Sequence, residues 1–385
     1  MIRATGVVLA MSSLVLAMTG CGGGNGRSPA SIPVAPAPSA SSAGTSATFK
    51  IVVPSKTPVN ASRHRHYVTS NVTAISFSVS QAGSTAAGLV YYPLNGSESY
   101  CSSGTSGLTC TVQVQAPPGT DTFVVDLYDY AVNENEPYQG YVVATGTVTQ
   151  TITAQSANTV NITTDGVPTF AVMGMTNAYP TAAGSYPLSL DIIDPDGNTI
   201  VGSFDAPLTL TSSSGNVTFS NATLNQNSDA TGITVNWNGT ALGSAATLSL
   251  NSTDDIVTGE TGTTVLASQT FNPNGRGITL SQPYFIFATS SSSSISFTAT
   301  GVNGATLDPG SIDQNPPTPA FAYDCSDYYA TISGSGGSYS VAPGVPTVST
   351  GQGDEFGTCY VGIIDDQDDE FLVPVIVGPT PEAEP

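Results

Sequence analysis

Positive charge almost disappears after residue 65. Residues 66 to 385 hold one cation, Arg276, against 28 Asp and Glu, a net charge of −27, whereas residues 1 to 65 hold six Lys or Arg and no acid. Nucleic-acid binding needs clustered Lys and Arg to displace phosphate counterions, so a body this acidic excludes it. Lysine occurs only at Lys50 and Lys56, and charged residues make up 9% of the chain. Exposed helices lean on Glu and Lys pairs, so this scarcity argues against them and for strands surfaced by Ser, Thr, Asn and Gln. Histidine is restricted to His64 and His66, both in a basic stretch. There is no Gly-x-Ser-x-Gly elbow and no His-Glu-x-x-His. A serine triad therefore has no credible base, and the chain is read as a non-enzyme with no cofactor. A glycosidase needs only two carboxylates and is the most distant of the functional readings.

The amino terminus carries its own information. Arg3 precedes an apolar run from Val7 to Ala17 that is too short to cross a bilayer and fits an export signal. The run closes on Met18-Thr19-Gly20-Cys21, which resembles a bacterial lipobox; the resemblance implies cleavage before Cys21 and lipidation of its thiol. Met18 departs from the usual Leu at that place. From Gly22 to Ala47 the chain is Gly, Ser, Ala and Pro with little else, a composition that cannot build a core. As a coil it spans about 28 Å, enough to hold a folded body away from a membrane.

Strand signals then recur at roughly ten-residue spacing. Ile75, Phe77 and Val79 share one face, as alternation with period two requires. Ala116-Pro117-Pro118-Gly119 marks a hairpin or a strand corner, Asp194-Pro195-Asp196-Gly197 a hairpin, and Cys359–Ile364 with Phe371–Val377 a terminal hairpin. Three blocks follow: 48–167, 168–274 and 275–378, after a signal peptide 1–20 and a tether 21–47, and before an acidic tail 379–385. The expected fold is all-β, in tandem sandwiches. Asp194 to Gly202 with Ala206 to Leu210, and the terminal hairpin, resemble bacterial immunoglobulin-like surface repeats. The first block, with Arg63 to Val68 and the Pro-Pro-Gly corner, is similar to lipoproteins of environmental bacteria. The resemblance implies immunoglobulin-like sandwiches and is nearly silent on activity.

Four cysteines besides Cys21 allow three pairings. Cys101 and Cys110 flank a short Ser/Gly loop, and Cys325 and Cys359 share the last block, so local pairing is the economical expectation in an exported protein. Two acidic groups offer hard oxygen ligands, making Asp194 and Asp196, and Asp366 and Asp368, candidates for calcium. Both fall at turns, where Asp and Asn bond nearby backbone amides, and the turn reading is preferred. Trp237 shares a face with Val235 and Ile233: inward, it is core; outward, it can stack on a sugar, as can Tyr328 and Tyr329. The sequence thus predicts a lipid-anchored envelope protein projecting sandwiches as a binding, adhesion or spacer surface, partnered by membrane and by an envelope glycan or surface protein. A carbohydrate-binding module is the alternative.

Overall fold

The computed structural model describes residues 45–54, 68–70, 72–81, 89–104, 107–129, 141–195, 198–253, 263–287, 294–313, 323–324, 330–343 and 357–377. The expected signal peptide, Cys21, most of the expected tether and residues 378–385 lie outside the described residues. The expected all-β architecture of tandem sandwiches holds. Among the described residues there is no α-helix, one 3-10 turn spans Asn227–Ala230, and no helix is long and apolar enough to cross a membrane.

The first sandwich contains β1 (Ser46–Pro54), β2 (Ala74–Gln81), β3 (Val90–Pro93), β4 (Cys101–Gly104), β5 (Gly107–Gln115), β6 (Gly119–Tyr128), β7 (Val142–Ile152) and β8 (Asn158–Val160). One sheet runs β4-β5-β1-β8 and faces β3-β2-β6-β7. Alternation decides which side chains go inward: Ala47, Phe49, Ile51 and Val53 from β1 meet Phe77 and Phe123 from the facing sheet. The Phe49 ring lies 4.6 Å from Phe77 and 5.2 Å from Phe123, between centroids. Burying each ring contributes roughly 2–3 kcal/mol, with about 1 kcal/mol more for each favourable aromatic pair. The Pro-Pro-Gly segment is a corner, not a hairpin, since β5 and β6 belong to opposite sheets. Gly119 has φ +137°, and a Cβ there would stand 2.2 Å from the Gln81 amide nitrogen, so only glycine fits the turn.

The first block closes on β9 (Asp165–Gly166), and the second supplies β10 (Phe170–Gly174), β11 (Gly184–Pro187), β12 (Ser189–Ile193), β13 (Ser203–Ser212), β14 (Val217–Phe219), β15 (Thr223–Gln226), β16 (Thr234–Trp237), β17 (Ala246–Ser252) and β18 (Thr264–Phe271). Here β11-β16-β14 packs over β13, β17 and β18, burying Leu208, Leu210, Val235, Trp237, Leu248 and Leu250. The two-residue β9 joins the sandwiches: Gly166 pairs with Ala144 of β7 on one side and Phe204 of β13 on the other. A single nine-stranded sheet results, and the apolar core runs without interruption from Ala47 to Phe271.

The last sandwich has its own core. Its strands are β19 (Gly277–Leu280), β20 (Phe285–Phe287), β21 (Ile295–Val302), β22 (Leu307–Asp313), β23 (Tyr323–Asp324), β24 (Ala330–Ser335), β25 (Ser338–Pro343), β26 (Gly357–Asp365) and β27 (Glu370–Val377). The sheet β19-β21-β25-β24 faces β20-β27-β26-β22, with β23 also on β26, and the expected terminal hairpin is β26–β27. Tyr179 packs against both cores; its ring contacts Phe371 at 5.7 Å and covers Gly277, where a Cβ would sit 2.1 Å from the ring. Asn303 Nδ2 donates to the carbonyls of Tyr179 (3.0 Å) and Gly275 (2.6 Å), closing the seam.

Candidate functional site

Arg276, the lone cation of the acidic body, lies against the β26–β27 turn. Its Nη2 bonds a carboxylate oxygen of Asp365, which is 1% exposed, and reaches Asp366 Oδ1 at 2.7 Å; its Nε stands 3.5 Å from Asp369 Oδ2. Nη1 donates to the Gly304 carbonyl at 2.7 Å. The other oxygen of Asp365 accepts the backbone amides of Gln367 (2.9 Å) and Asp369 (3.0 Å). Burial by itself pushes the Asp365 carboxyl up, but Arg276 and the two amides outweigh it and hold the group below its ordinary range. Asp368 takes φ +62°, a left-handed conformation that Asp tolerates in tight turns. Asp366 is thus engaged by the guanidinium, and Asp368 shapes the turn.

Asp194 answers to a similar local logic. It is fully buried, and its Oδ1 accepts the Asn198 backbone amide at 2.8 Å while the Asn198 side-chain amide lies 3.3 Å from Oδ2. The Asp194 amide donates to the Asn198 carbonyl, and Ile193 bridges Thr199, so the carboxylate caps the turn from inside. Asp196 lies outside the described residues. Among the described residues no group of three or more His, Cys, Asp or Glu is placed to hold a metal.

Trp237 is inward, at 5% exposure, and its indole N–H donates to the Thr240 carbonyl at 2.8 Å. A ring enclosed in the core has no face for a sugar, which removes Trp237 as a stacking residue. Tyr328 and Tyr329 lie outside the described residues, as does Cys325. Cys101 and Cys110 are joined, as their spacing suggested. They stand directly opposite one another on β4 and β5, Cα atoms 4.0 Å apart, and the Thr111 amide bonds the Tyr100 carbonyl beside them. Such a narrow, non-hydrogen-bonded pair brings two side chains close enough to bridge.

Two features escaped the sequence reading. On the side of β2, β6 and β7 turned away from the β1 sheet, buried Ser76 meets half-buried Asp126 and Thr145 across the three strands. Thr145 Oγ1 donates to Asp126 Oδ1 at 2.7 Å, and the Tyr128 hydroxyl lies 3.3 Å from Ser76 Oγ. Burial pushes the Asp126 carboxyl up, against the hydrogen bonds from Thr145 and Ser76, and takes the Tyr128 hydroxyl to about 12. The Tyr91 ring lies 6.0 Å from Tyr128, and Tyr141, the residue before β7, is 58% exposed. In the last sandwich, a shallow hollow of about 520 Å³ is lined by Ser281, Ser296, Thr298, Ser333, Ser338 and Ser340. The register sets Ser296 beside Ser340 and Ser340 beside Ser333, a row of hydroxyls outside and apolar neighbours inside. Strand alternation was the signal for both features, but which strands are neighbours was not visible.

No known protein family matches the sequence, and no curated protein matches it either. Among solved structures, a marsupial T cell receptor aligns at 8% identity over 86% of this chain and 96% of its own, with a TM-score of 0.18. The cadherin-like domains 1 to 4 of zebrafish RET align at 12% identity over 80% of this chain and 66% of their own, with a TM-score of 0.17. Overlaps this small carry no argument about the chain, whose architecture rests on its own strands.

Proposed function

We propose that the protein is a non-enzymatic cell-envelope lipoprotein, anchored through Cys21, whose sandwiches hold a binding or spacer surface away from the membrane. The observation that carries this reading is where the chemistry-bearing side chains go. Arg276, Asp365, Asp194 and Trp237 are all engaged in internal contacts that fix turns and cores. A body whose strongest polar groups face inward, behind a lipobox and a Pro-rich tether, suits projection better than catalysis. Cys21→Ser should move the protein from the membrane fraction to the soluble one and abolish lipid labelling. Unchanged partition of the variant would end the lipoprotein reading.

A second reading, glycan recognition, is favoured by the outer face of the first sandwich. There the Tyr91 ring packs near Tyr128, Thr145 and Asp126 bring half-buried oxygens together, and Tyr141 on the same sandwich is exposed, a supply of ring surface and hydrogen-bonding groups of the kind sugars require. A glycan array probed with the mature chain separates the two readings. Specific binding lost in Tyr141→Ala supports recognition, and an array without signal leaves projection alone.

A further inference from the structure

The chain enters the first sandwich along β1 and leaves it along β8. These strands lie side by side and parallel, with Ala47 opposite Asn158, Thr48 opposite Thr159 and Phe49 opposite Val160. Tension drawing the amino end of β1 and the carboxyl end of β8 apart therefore slides the two strands past each other. The arriving and departing ends lie at opposite ends of a three-residue ladder, roughly 10 Å along the strands against about 4.8 Å between them. The pull is then directed mainly along the strand axis. Hydrogen bonds crossing that axis share the load and fail together, whereas a pair pulled open from one end loses its rungs singly.

From this geometry we propose a further function: the first sandwich is a load-bearing clamp, and β1–β8 is the ladder that resists extension of the anchored chain. A side chain reinforces it. Asn158, 9% exposed, donates from Nδ2 to the carbonyls of Ser46 (3.3 Å), Thr153 (3.1 Å) and Ser156 (3.2 Å), and accepts the Thr153 amide at 2.9 Å. The turn that delivers β8 is thereby tied to the first residue of β1. The last sandwich has a related pair: β20, its second strand, runs parallel with β27, its final strand, with Phe285 opposite Val375 and Phe287 opposite Val377. Between them the sandwiches place a parallel pair near each end of the body.

Load arises only if one end is held, so the proposal rests on the lipid-anchor reading, but its test does not. Single-molecule pulling on the full mature chain compares two directions in the same fold. One pair of handles sits just before Thr45 and at Asn161, the exposed residue after β8. The other keeps the first handle and moves the second to exposed Pro117, next to Ala116, whose amide bonds the Thr45 carbonyl at 2.9 Å, so β1 peels from β5 rung by rung. The sliding direction should need at least roughly twofold the force of the peeling direction at equal loading rate, since forced unfolding reads the barrier along the path pulled. Asn158→Ala should lower the sliding force by a larger fraction than the peeling force, since peeling breaks the Asn158–Ser46 bond singly while sliding loads it together with the ladder. Equal forces in the two directions overturn the proposal, and this comparison stands on the parent chain even if the variant does not fold. A sliding force unmoved by Asn158→Ala overturns the role given to that side chain. If Cys21→Ser stays on membranes, the anchor reading falls while the directional difference remains.

Discussion

The first two sandwiches and the last one solve the same shortage of cations in different ways. From Ala47 to Phe271 one core and one nine-stranded sheet serve both, and polar groups are satisfied by hydroxyls and amides: Thr145 on Asp126, Thr199 on Asp191, Asn158 on three carbonyls. The last sandwich keeps a separate core and spends the one arginine on the turn of its closing hairpin. The difference teaches that a carboxylate buried without a cation is held toward neutrality, as burial pushes Asp126 and Asp191 up, whereas the one given an arginine is held charged, as Asp365 is.

The sharing of one core is open to the strongest test. Phe123→Ala should cost about 3–5 kcal/mol. Because Trp237, the sole tryptophan, lies in the second sandwich but in the same core, its fluorescence transition should shift with the mutation in the first. A Trp237 transition that stays in place would mean that the two sandwiches unfold independently. Removing the disulfide with Cys101→Ser and Cys110→Ser should cost up to about 2.7 kcal/mol by releasing the unfolded chain. The loss should register at Trp237 and spare the last sandwich, followed by hydrogen exchange at β26 and β27.

Acid should separate the two regions by sign. Asp365 has a lowered folded value, so its stabilising contribution is present above the ordinary carboxylate range and is lost as pH falls through that lowered value. Asp126 and Asp191 have raised folded values, so folding takes up protons there and stability rises as pH falls from above those values to the ordinary range. Between about pH 6 and pH 3, the shared core should therefore hold or gain stability relative to the last sandwich. Arg276→Met, which leaves Asp365 buried without its cation, should remove the last sandwich's extra acid sensitivity and lower its melting temperature at neutral pH. The same sign of pH response in both regions would dissolve the contrast. Smallest of all, Asp366→Asn, at a carboxylate about half exposed, should cost less than about 1 kcal/mol by thermal melting.

How far the sequence revealed this can be followed residue by residue. Alternation placed β2 because its inward set, Ile75, Phe77 and Val79, is long enough to show a period. It could not find β9, since Asp165-Gly166 has no period and acquires its strand character from β7 and β13. Nor did Pro-Pro-Gly distinguish a hairpin from a corner, because both demand the same local backbone. Cys101 and Cys110 were legible through short spacing. Arg276 and the Asp365 turn were each noticed, but separately: no local pattern links residues 89 positions apart. Scarcity alone was the available signal, since a single cation in a body of net charge −27 must find a carboxylate.

The joint at Gly166 also governs the order in which the chain can be completed. A chain that folds from its amino end presents β7 as an open sheet margin, its backbone amides and carbonyls unmatched on one side. Two residues of β9 cover only Ala144 and Thr145, and their own far side stays bare until Phe204 arrives. Until then the half-made sheet is a template for any other extended chain, including a second copy of itself. Thr147, Thr149 and Thr151, at the exposed remainder of β7, furnish that margin with hydroxyls in place of apolar side chains during the wait.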